Sequence, residues 1–285
     1  MMKKLLFLIS VISLLTASCD NVHDAPVTSS GLVIEGWIED DGFPVVMLTR
    51  SMPVNEEYLD PSTLNDYLVR WARVSVTDGL DTVVLTGKYD KGYFPPYIYT
   101  TSRMRGKANH SYTLIVEYDG LFATAKTTIP SRPLNGSFTV ERCVGCDTLF
   151  QIIAHFRDDP SVKNYYQFFS RVGTTSKQYL ASYLGSIDDA VLGASTDAPV
   201  YRGHRFTVED YTPYFKLADT VSVKLSQVDE ASYCFWDEYT KTLSLSGNMF
   251  LSSNINLSTN VEGAIGYWCG MASITNHIVI ADSIK

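Results

Sequence analysis

The 285-residue chain has little that would tie it to nucleic acid, to catalysis or to the interior of a bilayer. Basic residues are few: 23 Lys and Arg stand against 31 Asp and Glu, a formal charge of -8. No basic block interrupts that background, which argues against a phosphate backbone as partner. Beyond the first residues, no run approaches the about 18 consecutive apolar residues of a membrane-spanning helix. His-Glu-x-x-His, Gly-x-Ser-x-Gly, Walker A and EF-hand patterns are all absent. The 5 histidines are scattered. The sequence therefore points away from an enzyme and implies no cofactor and no metal. What it has in quantity is aromatic: 18 Tyr, 13 Phe and 4 Trp. Tyr- and Thr-rich chains with scattered Gly and Pro favour strands and turns over helices.

The first residues follow a different pattern. Lys3 and Lys4 form a basic start, and Leu5 to Leu15 is nearly all apolar. That length suits the apolar core of a signal peptide and is too short to span a bilayer. Thr16, Ala17 and Ser18 are small, and Cys19 follows at once. A small-residue cleavage site ending on a cysteine resembles a lipobox, with Thr16 standing where Leu is usual. The resemblance implies cleavage after residue 18 and a lipid on the Cys19 sulfur. The competing reading is an ordinary signal peptide with Cys19 as a thiol. Without Lys3 and Lys4 the 23 basic residues fall to 21 against 31 acidic, a charge of -10. Such a surface gains nothing from anionic headgroups, so membrane attachment rests on the lipid, at about 0.8 kcal/mol per buried methylene. Residues 19–30 are polar and read as a tether.

From residue 31 onward, short apolar runs alternate with turn signals. Leu32–Ile38, Val45–Leu48, Val69–Val76, Thr82–Leu85, Tyr97–Thr101, Tyr112–Tyr118 and Leu121–Ile129 predict strands. The last two flank Asp119-Gly120, a strong short-range hairpin signal. Seven such runs over about 100 residues suggest an immunoglobulin-like β-sandwich over 31–130. Glu56 to Asp66 interrupts them as a long loop or short helix. Ile129-Pro130-Ser131-Arg132-Pro133 closes the last strand and places a domain boundary there. Residues 131–285 read as a second β-rich domain. Ile187–Tyr201 resembles a loop, Phe206–Tyr211 a weak strand, and Thr220–Gln227 a clean one. A single helix is predicted near 229–242, with acidic residues at its start and Phe235, Trp236 and Tyr239 on one face. Gly263–Met271 and Ile274–Ile280 supply two closing strands.

Several residues carry candidate chemistry. Cys143 and Cys146 bracket Val144-Gly145. Opposite positions across a two-residue hairpin lie about 5.5 Å apart between Cα atoms, within disulfide reach. An exported protein meets an oxidising compartment. A zinc site takes about four ligands, and one Cys-x-x-Cys is all there is. A disulfide, a pair of inert thiols, and a metal or redox site all stay open. Cys234 and Cys269 read as buried thiols whose pairing the sequence does not settle. His155 precedes Phe156-Arg157-Asp158-Asp159, a possible acid–base set that more often is a solvated turn. Gly266-Tyr-Trp-Cys-Gly270 reads as core packing. Tyr89-Asp-Lys-Gly-Tyr-Phe-Pro-Pro-Tyr-Ile-Tyr99 gathers aromatics around a glycine and two prolines. Rigid loop aromatics make contact surfaces for glycans, peptides or proteins, which nominates Tyr93, Phe94, Tyr97 and Tyr99. The alternative is that these rings fill the core. Asp81-Thr-Val, Asp147-Thr-Leu, Asp219-Thr-Val and Asp282-Ser-Ile resemble an O-glycosylation signal of exported Bacteroidota proteins, at Thr82, Thr148, Thr220 and Ser283. The same pattern also suits the ordinary start of a strand.

Three stretches taken in order resemble one family. They are Gly31-Leu-Val-Ile-Glu-Gly-Trp-Ile-Glu39, then Tyr112-Thr-Leu…Gly120…Ala125…Ile129-Pro130, then Ser253-Asn-Ile-Asn256…Glu262-Gly-Ala-Ile-Gly-Tyr-Trp268 after an aromatic helix. Together they resemble the domain of unknown function 4249 family, lipoproteins of Bacteroidota, over almost the whole mature chain. Trp268 and Cys269 depart from the plainer aromatic stretch more usual there. The resemblance implies a palmitate-bearing lipoprotein of the outer membrane, on its periplasmic face or the cell surface. It also implies a neighbouring TonB-dependent receptor as partner and a non-catalytic binding role. A structural or adhesive surface protein and a surface hydrolase are the alternatives. The family brings no established catalytic or ligand residues to carry over.

Overall fold

Strict alternation in Leu-Val-Ile-Glu-Gly-Trp-Ile-Glu sends every second residue to one side of a pleated strand. Strand β1 (Leu32–Glu39) accordingly buries Leu32, Ile34 and Ile38. The computed structural model describes residues 31–51, 63–188, 195–203, 211–246 and 257–281. The expected signal peptide, tether and Cys19, the part of the interruption at 52–62, most of the weak strand (204–210) and Ser283 lie outside the described residues.

The first half continues with β2 (Val45–Arg50), a 3-10 turn at Thr63–Tyr67, β3 (Arg73–Thr77), β4 (Thr82–Val84), β5 (Thr86–Tyr89), β6 (Tyr97–Thr100), β7 (Ser111–Tyr118) and β8 (Leu121–Thr128). The second half supplies β9 (Asn135–Cys143), β10 (Cys146–Arg157), β11 (Tyr165–Val172), β12 (Leu180–Asp188), β13 (Thr196–Val200), β14 (Phe215–Lys216), β15 (Thr220–Val228), helix α1 (Glu230–Ser246), β16 (Val261–Glu262) and β17 (Ile265–Val279). The chain is thus mainly β, with the expected N-terminal immunoglobulin-like sandwich, a second β-rich region and a helix near the expected place.

Turn chemistry is satisfied where the sequence announces it. Asp119 and Gly120 both take positive φ, 48° and 77°, and pair Tyr118 with Leu121. That is the geometry a two-residue turn needs to match the twist of its strands. At the helix start, Asp229 Oδ1 accepts the Ser232 N–H at 2.9 Å, capping an otherwise unsatisfied donor.

One eight-stranded sheet, in the order β12-β11-β15-β17-β1-β2-β6-β5, runs through both halves. The sheet β16-β8-β7-β3-β4 packs over its β1–β2–β6 part around a core of Ile34, Val46, Val74, Leu114, Val116 and Trp268. The sheet of β9, β10, β13 and β14 packs over the β11–β15 part around Phe150, Ile152, Phe168, Val223 and Phe215. Helix α1 covers the opposite face of the large sheet, where Tyr233 meets Tyr165, Trp236 meets Phe169 and Phe235 meets Tyr267.

The two closing strands expected from sequence are one strand. β17 pairs parallel with β1 over Ile265–Met271 and antiparallel with β15 over Met271–Val279. Met271 is the residue shared by both ladders. Successive β17 side chains face opposite cores: Trp268 is fully buried in the first sandwich, while Tyr267 and Cys269 pack under α1. The Trp268 indole donates to Tyr112 O at 3.1 Å. A Cβ on Gly36 would stand 2.9 Å from that indole, so β1 needs glycine there.

The domain division expected at 130/131 is therefore corrected. Pro130–Pro133 marks where the chain leaves the first sandwich, but β16 and β17 return to it from the far end. Residues 31–285 form one compact unit. The expected loop at 187–201 is corrected as well. Residues to Asp188 belong to β12, and Thr196–Val200 pairs with β10, Pro199 facing Ile153. A Thr-Asp-Ala-Pro-Val strand shows no apolar alternation, and proline gives no donor to a ladder, so its sequence hides the strand.

Candidate functional site

The Tyr89–Tyr99 segment crosses from β5 to β6 and is held from within and from outside. Asp90 Oδ1 accepts the Gly92 N–H at 3.0 Å, and Asp90 N–H donates to Pro96 O at 3.1 Å. The segment before β12 grips the loop. Lys177 N–H donates to Gly92 O at 2.7 Å, and Phe94 N–H donates to Gln178 Oε1 at 3.1 Å. Lys177 Nζ reaches Asp90 Oδ2 at 2.9 Å. That ammonium, followed by the Gly92 N–H, holds the Asp90 carboxyl below its usual range, and the carboxylate raises the Lys177 pKa in return.

Gln178 carries the bracing inward. Its Nε2 donates to Glu35 Oε1 at 3.1 Å, and the Tyr267 hydroxyl donates to the same oxygen at 3.1 Å. Burial first, then the Glu35 charge, push the Tyr267 phenol well above its ordinary value, so it stays protonated and donating. The loop is thus linked through β12's approach segment to β1 and β17. Trp37 on β1 lies 6.3 Å from Tyr93, ring centre to ring centre. Against this support stands a cavity of about 260 Å³ lined by Asn65, Tyr89, Lys91, Tyr93, Phe94, Pro95 and Pro96. Its lining mixes two tyrosines, a phenylalanine and two prolines with Asn65 and Lys91, the mixture of apolar surface and a few polar groups that ligand sites present.

The four nominated rings divide. Tyr93 and Phe94 line the cavity. Tyr99 does not: it is 2% exposed, donates to Val69 O at 2.9 Å and accepts Ala72 N–H at 3.1 Å. Burial pushes its phenol up to about 12. Tyr97 packs half-buried against the same core and donates to Arg70 O at 3.1 Å. Strand alternation explains the correction, because Tyr97 and Tyr99 lie on one face of β6, the face toward the first sandwich.

Cys143 and Cys146 face each other across the Val144-Gly145 turn, with Gly145 at φ 82°. Both are half-buried thiols, and Val144 at the tip is fully exposed. Cys269 is completely buried and Cys234 half-buried; burial raises both thiol pKa values, most for Cys269. No cluster of three metal-ligating side chains occurs among the described residues. Thr82 and Thr220 open β4 and β15, and Thr148 lies early in β10; all three are exposed.

Sequence reasoning missed one polar constellation. Thr139 Oγ1 lies 2.7 Å from His155 Nε2, and His155 Nδ1 lies 2.7 Å from Asp197 Oδ1. The three residues sit on adjacent strands β9, β10 and β13, and His155 pairs directly with Asp197. In that order the imidazole can take the hydroxyl proton while the carboxylate orients the ring and stabilises its charged form. Here the imidazole side chain is 34% and the carboxylate 68% exposed, so water surrounds them. The expected Asp158–Asp159 partners are elsewhere: Asp158 is buried and accepts from Tyr166 at 2.8 Å and Asn164 at 3.1 Å. Asp197 lies 42 residues from His155, so only the strand register could have revealed the pair.

No curated protein matches the chain. A family model does: the domain of unknown function DUF4249, over residues 20–276. With that match spanning nearly all of the sequence, the chain belongs to the DUF4249 family.

Proposed function

We propose that the protein is a non-catalytic binding accessory, anchored to the outer membrane by a lipid on Cys19 and serving a TonB-dependent transporter. The observation that carries the binding role is the aromatic cavity at residues 89–96, braced through Lys177 and Gln178 onto the central sheet. A loop fixed before binding loses little conformational freedom on contact, which favours recognition. Glycans and peptides are the ligand chemistries its rings and polar groups suit. Membership in the family and the lipobox-like start at Thr16–Cys19 support the anchored setting.

Native membranes solubilised in mild detergent test the partnership. The accessory role predicts that a TonB-dependent transporter co-purifies with the wild type. Repeated recovery without any transporter contradicts it. Radiolabelled palmitate tests the anchor: label enters the wild type and is lost in Cys19→Ala. Unlabelled wild type would remove the membrane placement.

One observation favours a second reading, a surface hydrolase: the Thr139–His155–Asp197 set. Activated-ester hydrolysis by the wild type that falls in both Thr139→Ala and His155→Ala would support it. Equal rates in all three proteins dismiss it.

A further inference from the structure

The hairpin between β9 and β10 carries a chemistry that the binding role leaves unused. The ladder in this hairpin is regular from Arg142–Phe150 outward, and its register shifts between Cys146 and Phe150. The Cys143–Cys146 pairing is therefore set by the Val144-Gly145 turn rather than by the sheet. Gly145 supplies the positive φ that a tight turn requires. Two residues opposite each other at such a turn lie within the Cα separation that a disulfide spans. Both thiols are half-buried, and the tip beside them is fully exposed, so a soluble oxidant can reach them. The Cys143 thiol is directed at Val144 O, 3.8 Å away, within the turn itself. Cys269 and Cys234 offer a contrast within the same chain. They are buried to different degrees, disfavoured as thiolates, and lie on different elements, β17 and α1.

We propose that Cys143 and Cys146 are a reversible redox site, closing to a disulfide when the protein meets a disulfide donor. One cysteine thiolate attacks a sulfur of the donor, breaking its S–S bond and releasing one donor thiolate. The second cysteine thiolate then attacks the mixed disulfide and releases the other. The cysteine pair gives up two electrons and two protons, and the donor leaves as two thiols. Exposed disulfides of this kind are the readily reduced ones, so the bond opens again in excess thiol. Both states keep the hairpin, because the paired positions already face each other.

Full-length protein equilibrated with oxidised glutathione and alkylated without reductant tests the site. The expected result is a peptide holding Cys143 and Cys146 that is lighter by two hydrogens and carries no alkyl group. Cys234 and Cys269 should remain alkylatable after unfolding. Prior treatment with excess thiol should restore alkylation at both positions. In Cys143→Ser the second step is impossible, so glutathione should stay on Cys146. Full alkylation of Cys143 and Cys146 across all glutathione ratios overturns the proposal. So does glutathione retained on both cysteines of the wild type, which would show two accessible thiols that cannot meet.

Discussion

The first sandwich is built largely from neighbours in sequence. β1 and β2, β5 and β6, and β7 and β8 each pair with the strand that follows. The second half relies more on distant partners. β11 lies between β12 and β15, and β10 gathers β9, β13 and β14 around itself. β17 then joins the halves by pairing with β1 at one end and β15 at the other. The contrast teaches that a proline-marked boundary in sequence need not separate two folding units when a later strand crosses back.

The largest effect is expected at the join. Trp268→Ala empties a fully buried indole site and should cost about 3–5 kcal/mol. Because the indole belongs to the first core and its strand to both ladders, urea unfolding should remain one transition for probes in either half. Two resolved transitions would break the comparison by showing that the halves are independent. Gly36→Ala should cost less, about 1–3 kcal/mol, since the added methyl presses on the same indole. Next comes Asp229→Ala, which removes the cap of α1 and the acceptor of the Thr127 hydroxyl. A loss of about 1–2 kcal/mol is expected. Urea unfolding followed by circular dichroism should show that loss as a lower midpoint of the same single transition.

The smallest effect belongs to the braced loop. Asp90 has a carboxyl held below its usual value, first by the Lys177 ammonium and then by the Gly92 N–H. A depressed carboxyl stabilises the folded state fully above its unfolded value of about 3.8. That contribution fades as pH falls from there through the lower folded value. Wild type should therefore lose slightly more stability than Asp90→Asn between about pH 5 and pH 2. Parallel melting curves for the two proteins over that range would show the brace to be idle, as exposed pairs often are.

Legibility in the sequence followed the same divide. The Asp119-Gly120 hairpin, the alternation of β1 and the Asp229 start of the helix act over a few residues, and each was readable. β13 was not, because Thr-Asp-Ala-Pro-Val gains its strand conformation from β10 rather than from its own pattern. The Thr139–His155–Asp197 set stayed hidden for the same reason. In the candidate site, the segment was readable but its facing was not. Tyr97 and Tyr99 share the core side of β6, whereas Tyr93 and Phe94 line the cavity, and the bracing by Gln178 from 84 residues away has no local signature.

A photo-crosslinking residue placed at Tyr93 in living cells tests the central claim most directly, with Thr148 on the opposite half as the comparison site. The account predicts that irradiation joins position 93 to a TonB-dependent transporter or its cargo and leaves position 148 without that adduct. Equal adducts at both positions, or none at position 93 while the protein is folded and acylated, would contradict it.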